Sequence, residues 1–397
     1  MRDGGIEFKK HMIMFNGEQD IDFQNEENQV EKEIVGNEPI TIPFDPNLIR
    51  IRRDPFTLGE LIDKMEYNEV NFNTSFQRKS DLWDPIKQSR LIESVLLRLP
   101  LPAFYFDEII EHEDDIDKRR SVWQVIDGLQ RCSTFNNFIV KQSLVLENLE
   151  FLARFNGAKY DDLPRELQRR INQSPITVYI VEKGTPDEVK FNIFKRINTG
   201  GLVLTPQEIR HAMNQGIAAD YVASLAEMDS FKRATCNIIK TERMEDRDFV
   251  TRYVAFYLQD YAEYQPDLDS FLTKGMAKIK SVTQEEREEM KENFDKAMHT
   301  SMSIFGDDAF RKRQNPTDRR KPINKALFEV LSVYFAKLSE VQSQLLISKK
   351  DLFKNKLMSL NNDPKFLYAI SSGTGQKESV NRRYIDIKRI IDETLES

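Results

Sequence analysis

The stretch that most constrains the fold runs from Val122 to Phe138 and reads VWQVIDGLQRCSTFNNF. Its first five residues, Val122 to Ile126, are mostly β-branched or aromatic and alternate as in a strand. An Asp127-Gly128 turn follows, and from about Gln130 the apolar residues recur at helical spacing. We therefore predict a β-strand that ends at this turn and leads directly into a helix.

A helix that begins at such a turn leaves its first backbone N–H groups without acceptors and directs them at the turn. This terminus favours an anion, and Gln130 and the forked guanidinium of Arg131 would lie beside it. The turn is therefore a candidate phosphate-binding site. The alternative is an ordinary strand-turn-helix corner in which Asp127 caps the helix, and spacing alone leaves both open.

The pattern along the chain changes twice, which suggests separate parts within its 397 residues. Residues 1–39 are polar and acidic, so we expect a flexible tail. Residues 40–216 mix strand and helix signals, and from residue 217 to 397 the pattern is helical almost throughout. We predict an α+β domain at 40–216 and an all-α helical domain at 217–397.

Composition narrows the possible setting of the protein. The formal net charge is −7, so contact with nucleic acid would have to come from local basic patches. The two cysteines are far apart and show neither a disulfide framework nor a metal-ligand spacing. No apolar run approaches the roughly 18–20 residues of a membrane span. We expect a soluble, cytoplasmic protein that does not contact membranes.

Several catalytic motifs are absent from the sequence. It contains no phosphate loop of the form G-x-x-x-x-G-K-[ST], no G-x-G-x-x-G after a strand and no H-E-x-x-H. Its four histidines are widely dispersed, so a His-Asn-His nuclease core is poorly supported. A metal-dependent nuclease that uses carboxylates such as Asp127 remains as an alternative.

Polar residues that flank the predicted strands and helices could complete a phosphate site. Arg78 and Arg131 could clamp phosphate oxygens, while the N–H groups after Gly128 bind the remaining oxygens. Asp127 could hold an arginine in place, contact a ribose hydroxyl, or position a Mg²⁺ ion through water. Each residue alone has a simpler interpretation as a surface residue or a helix cap, so the case depends on their converging in one fold.

Three further features carry alternatives. Cys132 falls in the first turn of the predicted helix, where a thiolate would be stabilised, but we expect a small buried residue. Gly373 to Gly375, followed by Arg382 and Arg383, could form a second anion pocket. A basic cluster around an Asn-Pro turn could contact DNA phosphates, although a solvated loop is the alternative. The residues of this cluster are Arg311, Lys312, Arg313, Arg319 and Arg320.

Taken in order, these motifs resemble the GmrSD restriction endonuclease N-terminal domain family, which is ParB-like. Phe76-Gln77-Arg78 resembles the family's [FY]-Q-R element, and Ile126 to Thr134 resembles its D-G-Q-Q-R-x-[ST]-T signature. Phe194 to Glu208 resembles its F-x-x-[IL]-N-x-G-x-x-L-[ST]-x-x-E signature. The match spans about Ile49 to Gly216. Leu129 departs from the family, which usually has glutamine at that position.

The resemblance implies a ParB/sulfiredoxin-like α+β core that binds, and in some members hydrolyses, a nucleoside triphosphate. It also implies a role in bacterial restriction of foreign DNA or phage defence. Gln77, Arg78, Asp127, Gly128, Gln130, Arg131 and Asn198 would bind the nucleotide, and Asp127, Gln130 and Arg131 would be the catalytic residues.

Full restriction enzymes of this kind usually add a His-Asn-His domain, which residues 217–397 do not show. We therefore do not expect DNA cleavage by this chain alone, and a nuclease or methyltransferase partner is a candidate. A non-catalytic module that binds DNA or a partner protein is the remaining alternative.

Overall fold

The computed structural model describes residues 29–35, 46–71, 83–111, 120–197 and 204–397. Within these ranges the chain forms a five-stranded mixed sheet covered by helices, and the remainder is mostly helical. The predicted α+β class is confirmed. Among the helices of these ranges, none has the length and apolar character needed to cross a bilayer.

The sheet contains two antiparallel and two parallel strand pairs. Its strands are β1 (Ile51–Thr57), β2 (Val70–Asn71), β3 (Phe104–Glu111), β4 (Arg120–Asp127) and β5 (Pro175–Val181). They lie in the order β1-β5-β3-β4-β2. β3 pairs with β4 antiparallel, β1 runs antiparallel to β5, and the β3–β5 and β2–β4 pairs are parallel.

The strand register brings the ends of several strands to the same end of the sheet. Asp127, the last residue of β4, lies opposite Tyr105 near the start of β3. Phe104 at the start of β3 lies opposite Val178 of β5. Thr57 at the end of β1 pairs with the first residue of β5. Three further strands therefore end or begin at the same end of the sheet as the predicted turn. We call this end of the sheet the corner end.

Helices cover both faces of the sheet. One face packs against α1 (Leu58–Glu66), α2 (Pro85–Leu96), α3 (Leu129–Phe135) and α4 (Arg165–Asn172), and its core includes Phe104, Phe106 and Trp123. The other face packs against α5 (Asp187–Ile197) and α6 (Pro206–Met213) through Ile126, Phe191 and Ile209. The α3 helix continues into a short π-helix, Asn136–Val140, an irregularity that is frequent near functional sites.

Residues after 216 form the helical part. Its helices are α7 (Ile217–Ala226), α8 (Asp229–Ala234), α9 (Glu245–Leu258), α10 (Leu268–Lys278), α11 (Gln284–Phe305), α12 (Lys325–Lys337), α13 (Glu340–Ser348), α14 (Lys350–Asn361), α15 (Pro364–Ser371) and α16 (Lys377–Glu396). Its buried apolar residues form a cluster separate from that of the sheet, with Phe249, Tyr253 and Phe328 near the centre. Burial of this apolar surface is what stabilises these helices.

Residues 29–35, which the sequence placed in a flexible acidic tail, lie against the helical part, and we call them the N-terminal strap. The Glu31 N–H donates to the Ile323 carbonyl at 2.8 Å, and the Gly375 N–H donates to the Val35 carbonyl at 2.9 Å. Glu31 also pairs with Lys312 at 2.6 Å. Main-chain and charged contacts therefore both hold the strap. Residues 1–28 and 36–39 of the predicted tail lie outside the described residues.

Candidate phosphate-binding corner

The Asp127-Gly128 turn requires glycine for two independent reasons. Gly128 has φ +102°, a left-handed conformation that side chains disfavour. In addition, a Cβ atom at this position would lie 2.8 Å from Cδ1 of Phe104. The turn can therefore be this tight, and this close to the start of β3, only without a side chain at position 128.

The helix after this turn begins without a side-chain cap. Gly128 is the N-cap residue of α3 and has no side chain to accept from the first N–H groups. The carboxylate of Asp127 instead accepts a hydrogen bond from Nη2 of Arg131 at 3.0 Å. The alternative in which Asp127 caps the helix is therefore wrong, and the positive end of the helix faces the turn.

Arg131 holds the corner together. Its Nη2 also donates to the Ala103 carbonyl at 3.0 Å, and its Nη1 donates to the Pro102 carbonyl. The guanidinium lies 4.3 Å from the centre of the Phe104 ring and is 7% exposed. Burial lowers the pKa of Arg131, and the neighbouring Asp127 opposes that shift. Arg131 therefore supports the turn. Asp127 holds this arginine in place, which is one of the roles expected for it from the sequence.

Gln130 connects the corner to the segment that precedes α2. Its Oε1 accepts from the Trp83 N–H at 2.9 Å, and Gln88 Nε2 donates to the Trp83 carbonyl at 2.7 Å. Trp83 directly follows the stretch that contains Gln77 and Arg78, and those two residues lie outside the described ranges, as does Asn198. The structure therefore brings together Asp127, Gly128, Gln130 and Arg131, and Gln130 ties Trp83 to the start of α3.

Cys132 is a buried thiol. It is fully enclosed in the core beneath the sheet. Burial raises the pKa of Cys132 to about 12, so the sulfur carries its proton at neutral pH. The prediction of a small buried residue is confirmed, and the reactive-thiolate alternative is wrong.

The second family signature, Phe194 to Glu208, includes the start of α6. Thr205 and Glu208 form a capping box at the start of α6. Arg210 of α6 joins this helix to the helical part. Its side chain is 1% exposed and pairs with Asp248 of α9 at 2.8 Å and Asp269 of α10 at 3.0 Å. Thr205, Arg210, Asp248 and Asp269 line a cavity of about 830 Å³. Sequence reasoning missed Arg210, because a buried arginine resembles a surface arginine until its partners are known.

The basic loop predicted to contact DNA is largely engaged with its own surroundings. Arg311 is buried and donates to the carbonyls of Asp307 and Lys321, so its guanidinium serves the loop and does not face solvent, unlike the arrangement suggested by the sequence. Arg319 is exposed. The ion pairs of the others are Lys312 with Glu31, Arg313 with Asp308, and Arg320 with Asp307 and Asp308.

The predicted second anion pocket contains an anion from the chain itself. The Thr374 hydroxyl donates to Oε1 of Glu33 in the strap at 2.6 Å, and Arg252 pairs with the same carboxylate. Arg383 is buried and pairs with Glu329 at 2.7 Å. Arg382 pairs with acidic side chains at positions 363 and 386. The cluster therefore holds the strap and the last helix in place.

The nuclease alternative gains no support from the described residues. In the ranges that the structure describes, no group of three or more His, Cys, Asp or Glu side chains is arranged to hold a metal ion. Magnesium at the corner, bound through water near Asp127, stays a prediction.

A mixed sheet whose end carries a glycine turn, an uncapped helix start and a buried arginine clamp defines an α+β domain with a candidate anion site. Residues 58–214 match the family described as GmrSD restriction endonuclease, N-terminal domain. The resemblance found from the motifs is confirmed. This match indicates a setting in DNA restriction or phage defence. No curated protein matches the chain.

Proposed function

We propose that the corner binds the phosphates of a nucleoside triphosphate, and that this binding serves a restriction or phage-defence function on DNA. The observation that carries the proposal is the start of α3 at Gly128. A left-handed glycine begins the helix without a side-chain cap, so the first backbone N–H groups and the positive helix end have no capping side-chain acceptor at the turn. The family match of residues 58–214 supports the same site.

Some residues of the corner would contact the nucleotide, and others would hold the turn in place. The N–H groups after Gly128 would bind phosphate oxygens, because the residue at the N-cap offers them no competing acceptor. Arg131 would fix the turn from behind, since its N–H groups are bound to two carbonyls and to Asp127. Asp127 is 32% exposed and would reach a ribose hydroxyl or a water-bound Mg²⁺. Gln77, Arg78 and Asn198 would complete the site.

The same proposal includes the finer fold. A ParB/sulfiredoxin-like core would place nucleotide phosphates at a strand-turn-helix corner, and the mixed sheet with β4 leading into α3 at its corner end is compatible with that arrangement.

Gln130→Glu tests the site with little risk to folding. The new side chain keeps an oxygen for the Trp83 N–H, and a negative charge in the first turn of a helix stabilises the helix. The same charge repels phosphate, so we expect at least about tenfold weaker binding, or ~1.4 kcal/mol. Isothermal titration with ATP, GTP, CTP and UTP in the presence of Mg²⁺ measures it.

Gln342→Glu is the matched control. Gln342 lies in the first turn of α13, where it forms a capping box with Ser339, so the chemical change is the same and both residues lie in the first turn of a helix. We expect its nucleotide affinity to equal that of the wild type. The proposal fails if the wild type binds none of the four nucleotides, or if Gln130→Glu binds as the wild type does.

Hydrolysis is tested separately with Asp127→Asn. The asparagine keeps an oxygen that can accept from Arg131 but removes the charge that would position magnesium or water. If Asp127 is catalytic, phosphate release falls at least about a hundredfold while nucleotide still binds. Equal phosphate release by both proteins would exclude a catalytic role for Asp127.

A further inference from the structure

A groove lined by arginine and apolar side chains lies at the corner end of the sheet. It has a volume of about 930 Å³ and is formed by the end of β1, the segment after α2, the end of α4 and the start of β5. Three arginines, Arg53, Arg98 and Arg170, line it together with Leu99, Pro100 and Leu101. We call it the arginine groove.

Arg98 occupies a backbone position that normally takes glycine. It follows the end of α2, where the Leu99 N–H donates to the Ser94 carbonyl and the Arg98 N–H to the Val95 carbonyl, each at 2.9 Å. This pair of bonds is the Schellman motif, and its left-handed residue is usually glycine. Arg98 adopts φ +62° there. The chain thus carries an exposed guanidinium at a position where glycine would be more stable.

Positive charge in the groove is not balanced by its acidic neighbours. Asp54 is the acidic residue of the lining, and it already pairs with Arg52 at 2.8 Å. Arg170 pairs with Glu166 at 3.2 Å, but that carboxylate is 72% exposed, so the pair is weak. Arg53 and Arg98 are both exposed. In a chain of net charge −7, this local excess of arginine favours an anionic ligand.

The shape and lining fit a polymer with alternating charged and apolar parts. Guanidinium groups bind phosphates bidentately, and Leu99, which is 52% exposed, offers an apolar surface between them. A DNA strand presents phosphates that alternate with the apolar faces of deoxyribose. We propose that the arginine groove binds the phosphate backbone of DNA. This inference goes beyond the nucleotide corner and does not depend on it.

The groove is also continuous with the corner along the chain. Leu99 to Leu101 form its wall, and the next two residues, Pro102 and Ala103, are the ones whose carbonyls Arg131 binds. A DNA strand in the groove would therefore lie next to the segment that forms the back of the nucleotide corner.

The test uses two charge-reversal pairs in the full-length protein. Arg53→Glu with Arg98→Glu alters the groove, and Arg319→Glu with Lys321→Glu changes net charge equally in the basic loop. Fluorescence anisotropy with a labelled DNA duplex is measured between about 50 and 200 mM salt. We expect the groove pair to weaken binding at least about tenfold and to reduce the salt slope by about 2. The loop pair should change the affinity less than about twofold, as expected for residues outside the contact.

Arg98→Gly separates the contact from stability. Glycine relieves the left-handed backbone, so the melting temperature should rise while affinity for the duplex falls. The proposal is overturned if the wild type does not bind the duplex, if the groove variants bind as the wild type does, or if both charge-reversal pairs weaken binding equally. Unchanged DNA binding by the groove variants would instead favour an acidic protein segment as the occupant.

Discussion

Replacing Arg131 by methionine removes the clamp at the corner and tests its supporting role. The change breaks hydrogen bonds to the carbonyls of Pro102 and Ala103 and to the carboxylate of Asp127. Pro102 is exposed and Ala103 is half-buried, so water partly replaces the lost donors, and the loss of both hydrogen bonds costs about 1–3 kcal/mol in total. Asp127 is 32% exposed, so water can replace its bond at little cost. Methionine keeps apolar contact with Phe104, and we expect the free energy of unfolding to fall by about 1–3 kcal/mol.

Fluorescence reports on this part of the chain in particular. Trp83 and Trp123 are the two tryptophans of the sequence; Trp123 lies in the core beneath the sheet, and Trp83 packs against it. Urea unfolding followed by tryptophan emission therefore measures the stability of the α+β part. Arg389→Met is the control, because Arg389 is a half-exposed cation paired with Glu393 on one helix. Loss of this pair should cost under about 0.5 kcal/mol.

Two outcomes distinguish support from ligand contact. If Arg131 supports the turn, Arg131→Met lowers the urea midpoint, and saturating nucleotide recovers part of the loss. If instead Arg131→Met unfolds within about 0.5 kcal/mol of the wild type yet loses nucleotide binding, the reasoning from its bonds to carbonyls is refuted.

Three more predictions follow from the structure. Gly128→Ala should destabilise the α+β part by about 2–4 kcal/mol in the same urea assay, because position 128 is left-handed and lies against Phe104. Cys132, whose pKa burial raises from 9.0 to about 12, should resist alkylation at pH 8 while the half-buried Cys236 reacts; the unfolding free energy should fall as pH rises above 9, where only the unfolded thiol ionises. Burial lowers the pKa of His211 from 6.5 to about 4, so acid titration from pH 6.5 to 4 should destabilise the wild type more than His211→Gln.

Local features of the fold could be predicted because their causes lie within a few residues. The Asp-Gly turn, the hairpin strands and the capping boxes at Thr57 and Thr205 all depend on neighbours in sequence. The role of Arg131 could not be predicted in this way. Its carbonyl partners are 28 and 29 residues away, and their position depends on how β3 enters the sheet.

In the basic loop, the sequence predicted a contact that the structure does not favour. Its cations suggested a DNA contact, yet Asp307 and Asp308 precede them closely and take up Arg313 and Arg320. Counting the acidic neighbours would have reduced the apparent charge. The arginine groove had no such local signal, because Arg53, Arg98 and Arg170 are far apart in the chain and meet only through the packing of β1, α2 and α4.

The N-terminal strap makes the helical part discontinuous along the chain. Residues 29–35 and 217–397 pack together, whereas the sheet residues between them in sequence form their own core. The sheet part is thus flanked on both sides by segments of one helical unit. A fragment that began at residue 40 would leave Arg252 and Lys312 without the carboxylates of Glu33 and Glu31. Deleting the strap should therefore weaken the helices at the far end of the sequence, and the sheet much less.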